Sequence, residues 1–176
     1  LTATRLSKTK QVELYFETIH EQIKVFSEDL MVIDAMASFS ETFATARVDA
    51  GVTDDQLEEM RKQLRNFYSA EFTNRYREET GHDPEVGALV DPLKENAVLL
   101  QHQYIEFNDN PLGKKDLLTD PGDSSRYSAT HKKFHPIIRS YREAFGFYDI
   151  FLVDDKTGNI VYSVYKEVDY ATSLKR

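Results

Sequence analysis

The sequence predicts an α+β, mainly helical fold, in which a long antiparallel helical bundle is followed by a β-hairpin of a sheet. Three observations support it: a heptad seam near the start of the chain, a helix-capping box at Thr53–Gln56, and a strand–turn–strand pattern over residues 147–165. A chain of 176 residues can bury one good-sized core. We therefore expect one domain with four parts, a helical hairpin (1–80), further helices (91–145), the β-hairpin (147–165) and a C-terminal segment (166–176).

The first helix is predicted from a heptad pattern, because its apolar residues recur at alternating steps of four and three. The seam consists of Val12, Phe16, Ile19, Ile23, Phe26, Leu30 and Ile33. Proline and glycine are absent from the chain before Gly51, so the pattern predicts one helix of about 40 residues. Such a stripe needs an apolar partner, either within a bundle or in a parallel dimer, and the pattern fits both.

The second helix begins at the capping box, where the Thr53 hydroxyl and the Gln56 side chain each bind a backbone amide that the helix leaves unpaired. Its apolar stripe continues to Thr80, and Gly81 is suited to the left-handed conformation that ends a helix. With the first helix it is expected to form an antiparallel hairpin. Residues 81–90 are predicted to be a loop.

A third helix is predicted to start at Asp91-Pro92, a cap followed by proline at the first helical position, and to run to Phe107. Residues 108–123 are rich in turn signals and are predicted to form a long loop. Ser124 or Ser125 then caps a fourth helix, which contains Pro136 and stops at Gly146.

The β-hairpin is predicted from two runs rich in aromatic and β-branched residues, 147–153 and 159–165, around a turn at 154–158. A hairpin alone is marginal in water, so these strands are expected to belong to a larger sheet. The chain holds no other convincing strand. The sheet is therefore either incomplete in this chain, which we favour, or covered by helices.

Composition excludes several classes of function. The net charge of −8, with a pI of about 5.1, makes nucleic acid an unexpected partner. The absence of cysteine excludes disulfides, thiolate zinc sites and cysteine nucleophiles. Phosphate-binding glycine loops, nucleophile elbows and supported carboxylate pairs are also missing, so we expect no enzyme and no cofactor.

The strongest candidate for a ligand-binding site is a polar column on the fourth helix. Tyr127, His131, His135 and Arg139 recur every four residues and so share one helical face. The arginine and the imidazoles could hold a carboxylate or another small anion. The competing interpretation is that the column is structural and brackets the bend at Pro136.

Residues of the hairpin and of the segment after it extend this candidate site. Tyr148 and Asp149 are included as ligand-binding candidates, although Asp149 could equally pair with a neighbouring amide or arginine to fix the strand register. Lys166, Asp169 and Tyr170 follow the hairpin, where loop residues often close a pocket. The pair of histidines has the spacing of a metal site, but Lys132 beside the first one and the lack of further ligands argue against metal.

The second half of the chain resembles the extracytoplasmic sensor region of bacterial methyl-accepting chemotaxis proteins. The resemblance covers residues 104–174, above all the words NPLGKK at 110–115 and YSATHKKFHPIIRSYREAFGFYDIFLVDDKTGNIVYSVYKEVDYATSL at 127–174. Similar segments occur in sensor kinases and membrane-bound nucleotide cyclases, between two transmembrane helices. Residues 1–80 match only as a generic helical lead-in after a membrane span.

The resemblance implies a helical bundle that leads into a PAS-like or Cache-like sheet, on the periplasmic side of the inner membrane. It implies signal transduction in chemotaxis by a membrane-anchored receptor, with an unknown small-molecule ligand or periplasmic partner. Such regions continue beyond the ATSL segment, so we expect residues 166–176 to be truncated. A homodimer is expected from the seam, and the alternative function is a helical dimerisation or protein-interaction module without a small-molecule site.

Overall fold

The computed structural model describes residues 2–175 and confirms the predicted class, since the fold is mainly helical with one antiparallel β-hairpin. The chain divides into two compact units, Leu1–Ala35 and Met36–Arg176. Leu1 and Arg176, which end the predicted segments 1–80 and 166–176, lie outside the described residues. None of the helices within the described part is long and apolar enough to cross a membrane.

The prediction of one unbroken first helix is wrong, because the chain forms α1 (Thr2–Glu28) and α2 (Leu30–Asp49). The two helices are separated at Asp29, whose Oδ1 accepts a hydrogen bond from the amide of Met31 at 2.8 Å. This is the contact that an aspartate makes as an N-cap. An apolar repeat in the sequence does not reveal such a break, because the cap changes the backbone conformation without changing the sequence spacing of the apolar residues.

The heptad seam lies on α1 and the first turns of α2. Five of its seven residues are at least half exposed: Val12, Phe16, Ile23, Leu30 and Ile33. Ile19 and Phe26 are partly exposed. The apolar stripe that the sequence predicted is therefore present as a surface of the first unit.

The second predicted helix is confirmed in its extent and in its caps. The Thr53 hydroxyl accepts a hydrogen bond from the amide of Gln56, and the Gln56 side chain accepts one from the amide of Thr53 at 2.9 Å. Its backbone is α-helical in α3 (Asp54–Phe67), π-helical at Tyr68–Phe72, and α-helical again in α4 (Thr73–Thr80). Gly81 ends α4 with a φ of 77°.

The predicted boundaries of the third helix need correction. The expected loop 81–90 contains α5 (Val86–Val90), and α6 (Glu95–Gln101) continues into a second π-helical segment, His102–Glu106. Asp91 follows α5 and its carboxylate pairs with Arg65 instead of capping the next helix. The turn before α6 is fixed from α3, because the Arg61 guanidinium donates to the carbonyls of residues 90 and 93 at 2.9 and 3.1 Å.

The fourth predicted helix is confirmed as α7 (Arg126–Phe145), with Pro136 inside it. The Ser125 hydroxyl caps its start, and Gly146 ends it with a φ of 70°. The segment before it is irregular as expected, except for a single 3₁₀ turn at Lys115–Leu117.

The hairpin consists of β1 (Phe151–Val153) and β2 (Ile160–Ser163), so both strands are shorter than predicted. Asp149 accounts for the late start of β1, because its Oδ1 accepts the amides of Ile150, Val164 and Tyr165 at 2.7 to 3.2 Å. The Asp149 side chain thus supplements the single backbone bond at this end, in which the amide of Val164 donates to the carbonyl of Ile150 at 3.3 Å. All four residues of β2 are buried, and the amide of Ile160 donates to the carbonyl of Thr172 in the C-terminal segment.

The core of the second unit is centred on Phe39 of α2, which is fully buried. Its ring lies 4.7 Å from that of Tyr162 on β2 and 5.5 Å from that of Tyr127 on α7, measured between centroids. Tyr104 from the second π-helical segment lies 5.8 Å from Tyr127. Aromatic packing of this kind joins the helices to the hairpin and fixes where the functional side chains stand.

Candidate functional site

The first three residues of the polar column on α7 lie in the core of the second unit. Tyr127, His131 and His135 are each at most 1% exposed. The Tyr127 hydroxyl donates to the carbonyl of Val161 at 2.7 Å and accepts from the hydroxyl of Tyr170 at 2.8 Å. Tyr127 therefore ties α7 to β2 and to the C-terminal segment.

The two histidines hold the loop of residues 108–123 against α7. His131 Nδ1 lies 2.7 Å from the carbonyl of Thr119, and His135 Nε2 lies 2.7 Å from the carbonyl of Asp116. A carbonyl accepts only, so these two nitrogens carry the hydrogens, and His135 Nδ1 accepts from the hydroxyl of Tyr162. Burial and the charge of Lys166 lower the pKa of His135 to about 3 and hold that of His131 well below its usual value.

Arg139, the last member of the column, is committed to ion pairs. Its Nε donates to Asp116 Oδ2 at 2.9 Å, and its Nη2 lies 3.0 Å from Glu143 Oε1. Asp116 is almost completely buried, at 3% exposed. The donors of His131, His135 and Arg139 thus converge on the loop, which is the arrangement of a structural clamp.

Asp149 holds the end of the hairpin and does not line the cleft described below. Its Oδ1 accepts the three amides described above, whereas its buried Oδ2 has no hydrogen-bond partner among the residues described. Burial raises the pKa of Asp149 to about 6, against the opposing effect of the amides. The carboxylate therefore acts on the register of the hairpin.

Lys166 is a buried cation that lies among aromatic rings of the second unit. The residue is 2% exposed, and its ammonium nitrogen lies 4.6 Å from the ring centroid of Tyr162 and 5.4 Å from that of Tyr170. It donates to the carbonyls of Ser163 and Val164, the latter at 3.3 Å. Burial lowers the pKa of Lys166 to about 7. Its φ of 59° is in the left-handed region that lysine rarely adopts.

Lys166 also lines a cleft of about 240 Å³, which we call the aromatic cleft. Phe72 and Tyr76 line it from the helix that contains the first π-helical segment, and Tyr148 and Tyr165 line it from the region of the hairpin. The rings of Phe72 and Tyr76 are 5.8 Å apart, and those of Tyr148 and Tyr165 are 5.3 Å apart. Aromatic surface with a few polar groups is the usual lining of a small-molecule site.

Charged side chains complete the aromatic cleft. Arg75 donates from Nε to Glu79 at 3.1 Å and from Nη1 to the carbonyl of Leu112 at 2.9 Å. Lys115 is 3% exposed, donates to the carbonyl of Asn108 at 2.6 Å, and has its pKa lowered by burial. Arg75 and Lys115 thus bring positive charge to a cleft whose lining also contains Lys166 and the carboxylates of Glu79 and Glu167.

The backbone around the aromatic cleft departs from regular helix and strand. Tyr68 and Phe72, the two ends of the first π-helical segment, both line it, and Ile105 lines it from the second such segment. π-Helical turns are rare and occur frequently at functional sites. The left-handed Lys166 lies in the same lining, and residues held in such conformations also concentrate at functional sites.

Of the six ligand-binding residues that the sequence nominated, Tyr148 lines the aromatic cleft, and the other five do not. Lys166, noted only for its position after the hairpin, also lines it. Sequence reasoning missed Arg75 and Lys115, and it took Phe72 and Tyr76 for part of an apolar helix stripe. The NPLGKK word, which contains Lys115, was the one signal for this part of the site.

No group of three or more metal-ligating side chains occurs within the described part of the chain. Comparison with models of protein families, with characterised proteins and with solved structures gives no match to this chain.

Proposed function

We propose that this chain is a ligand-sensing extracytoplasmic domain of a bacterial transmembrane chemoreceptor. In this proposal a small molecule binds in the aromatic cleft, and the resulting change in helix packing is passed along the chain toward the membrane. The observation that carries the proposal is the cleft itself, in which aromatic rings, two π-helical segments and buried cationic groups come together. The resemblance of residues 104–174 to chemoreceptor sensor regions supports it.

The mechanism proposed is differential binding and involves no covalent chemistry. A ligand shifts a conformational equilibrium only by the difference in its affinity for the two states. The cleft is lined from separate parts of the second unit, including the first π-helical segment and the segment after β2. A ligand that contacts both parts would favour the arrangement in which they lie together.

A thermal-shift screen of the chain with amino acids, organic acids and small amines tests whether it binds a small molecule. A compound that binds should raise the melting temperature, and Tyr76→Ala should reduce that rise because Tyr76 lines the aromatic cleft. Tyr15→Ala, which removes an exposed tyrosine of α1, is the matched control. Equal shifts in the two variants would place the ligand elsewhere.

Receptor function is tested by inserting the chain in place of the extracytoplasmic region of a bacterial chemoreceptor and measuring kinase output in cells. Compounds found in the screen should change that output. A hybrid receptor that reaches the membrane but ignores every stabilising compound would contradict the sensing role.

A second candidate function, a dimerisation module, is favoured by the exposed seam on α1. Phe16 and Ile23 are 62% and 53% exposed, which suits an interface with a second copy of the chain. Ile23→Glu should lower the dimer fraction in sedimentation equilibrium. Val25→Glu should not, since Val25 is 66% exposed but lies off the seam. A wild-type chain that stays monomeric at all concentrations would remove this function.

A further inference from the structure

The aromatic cleft has features that select one class of ligand by charge. Its acidic side chains already have donors from within the lining: Glu79 accepts from Arg75 at 3.1 Å, and Glu167 accepts from the hydroxyl of Tyr148 at 2.7 Å. Its basic side chains are partnered mainly by backbone carbonyls. The electrostatic balance inside the cleft therefore leaves cationic donors available.

Arg75 retains donor capacity toward the cleft. A guanidinium has five N–H groups, and the Arg75 contacts to Glu79 and to the carbonyl of Leu112 use Nε and Nη1. Nη2 makes no hydrogen bond to any residue in the described range. Gly113 leaves room beside it, because a Cβ on that glycine would stand 3.3 Å from Nη1 of Arg75.

Lys115 is the second available donor. Its ammonium carries three hydrogens, and its one hydrogen bond goes to the carbonyl of Asn108. The only other close contact that the structure gives it is the face of the Phe67 ring, 5.3 Å from the ammonium nitrogen. Glu71, Glu106 and Asp109 act on it through space, but among the described residues no carboxylate forms an ion pair with it. A buried ammonium without a carboxylate favours an anion from outside.

The size and the apolar part of the aromatic cleft limit the rest of the ligand. A volume of about 240 Å³ lies just below the range of roughly 300 to 1,000 Å³ that is usual for ligand pockets, which suits a small molecule of about one ring and a short chain. Phe72 and Tyr76 offer aromatic surface for packing against such a group.

From these contacts we infer that the aromatic cleft binds a small organic acid, with one carboxylate held by Arg75 and Lys115 and an aromatic or similarly flat apolar body held among the rings. This inference rests on the proposed ligand-sensing function and names the ligand class of the same cleft. The carboxylate accepts from Arg75 Nη2 and from the Lys115 ammonium, and the ring replaces water against Phe72 and Tyr76.

Three compounds with the same ring and chain separate the possible charge types. 3-Phenylpropanoate carries the carboxylate alone, 2-phenylethylamine the ammonium alone, and phenylalanine both. In isothermal titration calorimetry of the 176-residue chain at neutral pH, the acid should bind about tenfold or more tightly than either other compound. The ammonium group of the other two compounds would be repelled by the positive charges of Arg75 and Lys115. Equal or tighter binding of the amine or of phenylalanine overturns the inference, as does absence of binding by the acid at millimolar concentration.

A matched pair of variants locates the contact. Arg75 and Arg77 lie on the same helix with side chains 53% exposed, but only Arg75 lines the cleft, while Arg77 pairs with Asp83. Arg75→Gln should weaken binding of 3-phenylpropanoate about tenfold or more, and Arg77→Gln should leave it unchanged. Equal effects of the two substitutions, in proteins with matching circular dichroism, overturn the assignment.

The outcomes also separate this inference from the proposed function. Preference for the amine, together with a response of the hybrid receptor to it, would overturn the acid class and keep the sensing role. Tight binding of the acid in a hybrid receptor that does not respond would keep the ligand class and overturn the receptor role.

Discussion

The buried ammonium of Lys166 should make the stability of this protein depend on pH in a defined direction. Burial lowers the pKa of Lys166 from 10.5 in the unfolded chain to about 7 in the folded one. Between these two values the unfolded state binds the additional proton, so the free energy of unfolding rises with pH. The cost of burying the charge is thus fully present below pH 7 and is relieved as pH rises toward 10.5.

The expected magnitude follows from the size of the shift. Each pH unit well above the folded pKa adds about 1.4 kcal/mol, so from pH 7 to pH 9 the Lys166 contribution should raise the free energy of unfolding by about 2 kcal/mol. Two neighbouring groups, His135 and Asp149, have folded pKa values of about 3 and about 6, which lie below this window. The buried tyrosines have pKa values raised well above their usual value.

Urea denaturation of wild type and Lys166→Met at pH 7, 8 and 9 measures this effect. The variant replaces the ammonium by an apolar group of similar length, so its advantage over wild type should be greatest at pH 7 and should shrink by about 2 kcal/mol at pH 9. Lys156→Met removes an exposed lysine and should leave the difference constant. Parallel stability curves for wild type and Lys166→Met would refute the argument that this ammonium is buried in the charged form near neutral pH.

Three further substitutions test the packing, each by the change in the free energy of unfolding in urea. Gly158→Ala should destabilise the protein more than Gly122→Ala, although both glycines have positive φ, because a Cβ at Gly158 would stand 2.7 Å from Cγ and 3.1 Å from the backbone nitrogen of Lys175. A Cβ at Gly122 has nothing within 4 Å, so Gly122→Ala should cost only about 1 to 2 kcal/mol for the backbone. Equal costs would show that the C-terminal segment does not close over Gly158. Phe39→Ala should cost about 3 to 5 kcal/mol from the centre of the core, against less than about 0.5 kcal/mol for the exposed Leu174→Ala. Gln101→Leu should cost about 1 to 3 kcal/mol, since it leaves the hydroxyl of Tyr68 and the carbonyl of Tyr170 buried without their partner; a neutral effect would mean that water replaces the amide.

Sequence reasoning found the elements whose signals are local. The capping box at Thr53, the stop at Gly81 and the Ser125 and Gly146 ends of α7 each depend on one or two neighbouring residues, and all are present in the structure. The break at Asp29 was missed because an apolar repeat can continue across a capped helix start. The start of the third helix was predicted too early, at Asp91, because the turn before α6 is fixed by Arg61, which lies in a distant part of the chain.

The same distinction explains the candidate sites. The column from Tyr127 to Arg139 could be found because its members share one helical face, but the sequence could not show that the loop of residues 108–123 would take its donors. The aromatic cleft is assembled from segments that include Phe72, Lys115 and Lys166, so no single periodic pattern contains it. Tyr148 was nominated together with Asp149 as a ligand-binding candidate, whereas Lys166 was noted only because loop residues after a hairpin often close a pocket.

The first π-helical segment gives a physical reason why one continuous helix contributes both to the core and to the aromatic cleft. A π-helical turn is closed by i→i+5 hydrogen bonds and so contains more residues than an α-helical turn. Side chains after it are therefore rotated away from the face defined before it. Leu57 and Leu64, which precede the segment, are buried in α3, whereas Arg75 and Tyr76, which follow it, line the cleft. A lost i→i+5 turn would return the following residues toward the α3 face. In the proposed sensing mechanism, a ligand held by Arg75 and Tyr76 would therefore favour the π-helical form over the α-helical one.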